Sequence, residues 1–260
     1  MRPAVLTLAA TGVLVFLGVG CARPGDAAPS AQAASTPSPG APMVTDQMAA
    51  PATALDTVPS DEVLPLIARA DAEAAALLRA NPAVFTYERL PFYERSGLLR
   101  ATALLPQRPV EFRFVYARGA EGVAGRSVLP LGTAERVADA NAAAGFRLGA
   151  GTAVAYLDFY LGSAGGAGYA RRRIVRDAAS APWLPATASD PELRAARDQA
   201  SARVQPPRVE ATVDGGLRVR VTAVRGQALE AVTYGIARDG RVTEEGATVL
   251  VPEAPVTQVL

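Results

Sequence analysis

Residues 208–243, RVEATVDGGLRVRVTAVRGQALEAVTYGIARDGRVT, decide the fold. Residues 208–213, 217–224 and 227–236 read as three strands, and 241–243 as the start of a fourth. Asp214-Gly215 carries the Asp-Gly hairpin signal, because both residue types tolerate the positive φ of a tight turn. Asp239-Gly240 repeats it. Leu217, Val219 and Val221 fall on one face, and Arg218, Arg220 and Thr222 on the other. That alternation predicts an antiparallel meander with one wet face.

Upstream, residues 98–105 and 110–117 form a second strand pair, with 84–90 as a third candidate. Phe112, Phe114 and Tyr116 share a face, while Glu111 and Arg113 point away, as in a half-buried antiparallel strand. Pro106 and Pro109 flank the connection and are expected to stay out of the ladder. The meander, 207–245, is expected either to pair with this hairpin or to form a small lobe of its own.

Helices are expected between these strands. Ser60 is a candidate cap with Asp61 and Glu62 in the first turn, followed by Val63, Ile67, Ala70, Ala74 and Leu77 on one stripe. Pro65 predicts a late start or a kink, and Asn81-Pro82 a stop. The stripe is Ala-rich, which suits close packing on a sheet. Residues 118–132 read as a Gly-rich loop. Thr133 caps a helix that Gly145 closes. Residues 153–161, AVAYLDFYL, lean to a short helix behind Thr152, with a buried strand as the alternative. Asp190-Pro191-Glu192 opens another helix, with Leu193, Ala196, Ala200 and Val204 on its narrow apolar side. The expected class is α+β: an antiparallel sheet packed with Ala-rich helices, ending in a β-meander.

The start of the chain argues location. Met1-Arg2-Pro3 is a minimal basic start, and residues 4–20, AVLTLAATGVLVFLGVG, carry no charge. A short apolar run behind a positive residue has the form of a secretory signal. Its seventeen residues also reach the lower edge of a membrane-spanning length. The segment LGVGC, ending at Cys21, resembles the lipobox of bacterial lipoproteins. Gly20 and Val19 suit the last two positions before the cut. The family's usual Leu three residues before the cysteine is replaced by Gly18, with Leu17 one step early. The resemblance implies cleavage after residue 20, acylation of Cys21, and an anchor in membrane lipid. Ala22, which is not acidic, implies the outer membrane where one exists. An uncleaved N-terminal helix and a secreted product are the alternatives. All three place the rest of the chain outside the cytoplasm, facing the periplasm or the exterior.

Residues 21–54 are rich in Ala, Pro, Ser and Thr. Such a segment cannot offset its ordering entropy and reads as a disordered tether. Residues 55–260 remain as one α+β domain of about 205 residues, long enough for a substantial core.

Composition closes most chemistry. All 26 basic residues are arginine, and the chain has neither lysine nor histidine. Ser-His-Asp triads, Cys-His pairs, His-based metal sites, lysine Schiff bases and phosphate-loop lysines are therefore excluded. Cys21 is the only cysteine and belongs to the signal junction. No metal or cofactor is expected. Without Arg2, 25 arginines face 25 acids, a balance that argues against nucleic acid as a bulk electrostatic partner.

Two groups of residues remain as site candidates. Glu88, Glu94 and Asp158 are the acids a carboxylate mechanism would draw on, and Asp158 stands out because it interrupts an apolar run. Arg171, Arg172, Arg173 and Arg176 form the only dense basic cluster, behind the Gly-rich segment 162–168 and Tyr169. Arginine forks grip carboxylates and phosphates. Tyr169, Arg171, Arg173 and Arg176 are the expected contacts for an acidic ligand or an envelope protein. The favoured reading is a non-enzymatic, lipid-anchored binding module of the cell envelope. An envelope hydrolase using paired carboxylates and a structural subunit of a membrane complex are the alternatives.

Overall fold

A computed structural model of the chain describes residues 55–117, 126–165, 172–185 and 190–257. The order is β1 (Asp56–Thr57), α1 (Ser60–Ala70), α2 (Ala72–Ala80), β2 (Ala83–Arg89), β3 (Ser96–Leu104), β4 (Pro109–Ala117) and β5 (Ser127–Pro130). Then come α3 (Ala134–Ala143), α4 (Ala153–Ser163), β6 (Arg172–Val175), α5 (Pro191–Ser201), β7 (Arg208–Ala211), β8 (Leu217–Arg225), β9 (Ala228–Ile236) and β10 (Val242–Val251). This is an α+β fold with antiparallel sheets.

The strands form two sheets, so of the two arrangements expected for the meander it takes the one separate from the earlier hairpin. The first runs β1-β2-β3-β4-β5. The second runs β10-β9-β8-β6, with β7 also pairing β8. β7 covers Leu217 to Arg220, and β6 covers Thr222 to Arg225, so the two lie end to end along one edge of β8. The meander therefore recruits a strand from far upstream instead of joining the earlier hairpin.

The first sheet is covered on one face by α1 and α2. Val63 and Ile67 of α1 and Ala74, Ala75 and Leu78 of α2 pack with Phe85, Leu99, Phe114 and Tyr116. Alanines let the helix backbone approach closely, while each larger side chain contributes about 1.5–3 kcal/mol by burial. The predicted single stripe is broken at Asp71, whose extended backbone ends α1 and whose carboxylate caps α2 by accepting from Ala74 N at 2.9 Å. Pro65 stays inside α1, exposed, and Pro59 rather than Ser60 takes the cap position.

The other face of the first sheet is also buried over much of its length. Leu98 and Val115 join a core with Leu157 and Tyr160 of α4 and Val219, Val221, Val232 and Tyr234 of the second sheet. The expected half-buried strand at β4 is thus covered on both sides toward its end: Phe114, Val115 and Tyr116 are all buried. The predicted wet face of the meander holds only at its start. Arg218 and Arg220 are exposed, but residues 221–224 are buried in succession. Val224 and Leu229 meet Ala200 of α5, Ala254 and Val256 in a third cluster on the far side, with Trp183 packed against it.

Three further differences have local causes. Residues 127–130, assigned to a loop, pair with β4, because Val128 and Leu129 continue its alternation. Pro109 opposes Leu104 at the sheet's end, where no further ladder bond is required of it. β10 extends to Val251 despite two register shifts, at Glu244/Gly246 and Val249/Val251.

Residues 153–161 are helical. Gly149 starts the segment through a 3-10 turn: Thr152 Oγ1 accepts from Gly149 N at 3.2 Å and donates to Gly149 O at 3.1 Å. The buried face of α4 carries Tyr156, whose hydroxyl donates to Gly240 O at 2.5 Å and accepts from Asn141 Nδ2 at 2.8 Å. Tyr93 donates to Asn141 Oδ1 at 2.6 Å. Burial pushes the Tyr156 hydroxyl up to about 12. This network ties α3 and α4 to the β9–β10 turn and leaves Asp158 on the outer side.

Candidate functional site

Asp158 projects from α4 with 52% of its side chain exposed. Arginines from both sheets surround its charge. Arg176, just past β6, lies closest, with Nη2 3.7 Å from Oδ2. Burial lifts the carboxyl above its ordinary value, against the pull of Arg176, Arg173, Arg100 and Arg113. The side chain remains half open to water, which screens both the burial and the four charges.

Register explains the arrangement. Arg100 and Arg113 are direct cross-strand partners on β3 and β4. They share the sheet face that Leu98 and Val115 bury further along. Arg113 Nε donates to Glu111 at 2.6 Å, and its Nη1 donates to Gly162 O at 2.5 Å. A cation there complements the negative end of α4. Arg100 Nη2 donates to Glu88 Oε2 at 2.8 Å, while its buried Nε has no hydrogen-bond partner. Arg173 alternates to the other face of β6 and is exposed, with no ion pair among the described residues. Four arginines against Glu88, Glu111 and Asp158 leave one positive charge in excess.

Of the predicted contacts, Asp158, Arg173 and Arg176 are brought together. Cys21, Tyr169 and Arg171 lie outside the described residues. The three candidate acids do not form a pair with one another; each has an arginine. Glu88 meets Arg100, Glu94 meets Arg147 Nη2 at 2.5 Å, and Asp158 meets Arg176. Among the described residues, no cluster of three metal-ligating side chains occurs, and no helix is long and apolar enough to cross a membrane.

Arg172, the member of the basic run left out of the expected contacts, has a side chain only 8% exposed. Its Nε donates to Glu230 Oε2 at 2.8 Å, and its Nη atoms reach Glu244. Tyr234 Oη lies 3.4 Å from Nη1. Glu230 is fully buried, and Arg225 Nη2 stands 2.6 Å from its Oε1, an ion contact outside hydrogen-bond angles. Burial works against the Arg172 charge, but the bonds to Glu244 and Glu230 overcome it and hold its pKa above the ordinary value. A signal for this network existed. Glu230 has the same strand parity as Val232, Tyr234 and Ile236, which places an acid on the buried face and demands a cation beside it.

No family model, no curated protein and no solved structure matches this chain.

Proposed function

We propose that the chain is a non-catalytic binding module of the cell envelope, anchored through Cys21 and gripping an acidic group of a partner with the arginines around Asp158. One observation carries the binding half of this reading: Arg100 and Arg113 from one sheet and Arg173 and Arg176 from the other act on a single half-exposed carboxylate. Asp158 then serves as a placeholder. It keeps the cations soluble and together until a stronger anion displaces it, and an incoming carboxylate or phosphate finds forks already oriented. The anchor half rests on the resemblance of LGVGC to a lipobox.

Crosslinking in native membranes tests the two halves separately. Cys21→Ala should move the protein from the membrane to the soluble fraction. Arg173→Gln with Arg176→Gln should stay in the membrane and lose the crosslinked partner. A Cys21→Ala protein that remains membrane-bound sinks the anchor. An undiminished crosslink in the double variant sinks the arginine site.

A further inference from the structure

A second constellation of arginines lies on the outer face of the second sheet, on β7 and β8. Arg208 and Arg220 are direct cross-strand partners. Residues in that relation have Cβ atoms about 5 Å apart, and like charges so placed repel. Both side chains are exposed, and neither makes an ion pair among the described residues. Elsewhere the same sheet answers its arginines with acids: Arg218 meets Glu245 at 2.7 Å, and Arg172 and Arg225 meet Glu230. Here two forks converge without a counter-charge.

They also converge on a space. Arg208 and Arg220 line a small cleft of about 50 Å³, together with Gln205, Pro206, Thr222 and Leu250. That volume is well below that of sites that enclose a whole ligand, and it fits a carboxylate head whose stem lies along the open surface. One wall is pinned: Thr222 Oγ1 accepts from Gln205 N at 3.0 Å and donates to Gln205 O at 3.1 Å. This clamp holds the chain before Pro206-Pro207 over β8. Ala231 and Leu250 make the remaining surface apolar.

We propose that this cleft binds a monocarboxylate with a short apolar stem, each arginine taking one carboxylate oxygen and the stem lying against Pro206, Ala231 and Leu250. Two opposed forks suit a planar anion. The apolar surface favours a stemmed acid over inorganic phosphate, which could use the charges but not the rest of the cleft. The site is separate from the Asp158 cluster and does not depend on it.

Calorimetric titration of the purified full chain with hexanoate, inorganic phosphate and hexanol tests the assignment. Hexanoate should saturate one site, with phosphate and hexanol at least tenfold weaker. Arg208→Gln with Arg220→Gln should weaken hexanoate at least tenfold, and Arg69→Gln, at the exposed end of α1, should leave it within twofold. Ala231→Phe, which fills the cleft without touching the charges, should also abolish binding. Arg220→Gln alone should raise the thermal midpoint by about 1–2 °C by relieving the repulsion, which separates loss of site from loss of fold. Absence of hexanoate binding, equal affinity for phosphate, or an unchanged double arginine variant would overturn the proposal.

Discussion

Two carboxylates show how environment sets the meaning of a residue. Glu230 is fully buried and holds Arg172 and Arg225, so removing its charge takes a counter-ion from Arg172, whose side chain the sheet has taken out of water. Glu230→Gln should lower unfolding free energy by about 3 kcal/mol in urea denaturation, as for a broken buried pair. Replacing Arg172 and Glu230 together by methionine should lose less, because no unpaired charge is left between them; an equal or larger loss would mean that shape, not charge, sets the cost. Asp158 is the opposite case. It is half exposed, and solvent screens its arginines. Asp158→Asn should change stability at neutral pH by no more than about 0.5 kcal/mol. The pH dependence has a definite sign. A carboxyl raised in the folded state binds its proton more tightly there than in the unfolded chain, so its ionisation lowers stability as pH climbs just above the ordinary value of 3.8. Urea midpoints of wild type, relative to Asp158→Asn, should therefore fall through that acid window and then level off. A relative rise would reverse the balance between burial and the arginines.

Elements were legible where local chemistry sets them. Thr133 caps α3 through Arg136 N at 3.3 Å, and Gly145, at φ 67°, ends it, as the sequence indicates. Asp190 caps α5 through Leu193 N at 2.9 Å. The break at Asp71 was hidden because the apolar spacing of α1 continues across it into α2. The burial of Arg172 was hidden for a different reason: it depends on β6 crossing to β8, a pairing that no local pattern encodes. The same distance obscured the candidate site, since Arg100 and Arg113 meet Asp158 only once the sheets are assembled. Close approach is a further feature invisible in sequence. A Cβ on Gly97 would stand 2.3 Å from Glu88 O and 2.6 Å from the Tyr87 ring. Gly97→Ala should destabilise by about 1–3 kcal/mol, as overpacking does, measured by thermal or urea unfolding. A neutral result would mean that β2 and β3 can part without cost.

At the scale of the molecule, the first sheet is shared. Its one face packs with Ile67 of α1, and its other with Leu157 of α4. Truncating either side chain should weaken the same transition. Ile67→Ala and Leu157→Ala should each cost about 2–5 kcal/mol, with fluorescence and circular dichroism still tracing one coincident curve. Two separated transitions would show that the cores fold independently. The end-to-end placement of β6 and β7 along β8 bears on the order of events. β7 reaches β8 through a tight turn, so the β7–β10 unit closes over short loops. β6 must return across some fifty residues and pays the larger loop-closure entropy. It is the strand most easily released, and amide exchange should find it opening before its neighbours. Arg173 lies in this strand and Arg176 just beyond it, so a ligand held there would fasten the loosest part of the sheet. Occupancy would then be readable as slowed exchange at Ile174 and Val175, the two buried residues between those arginines.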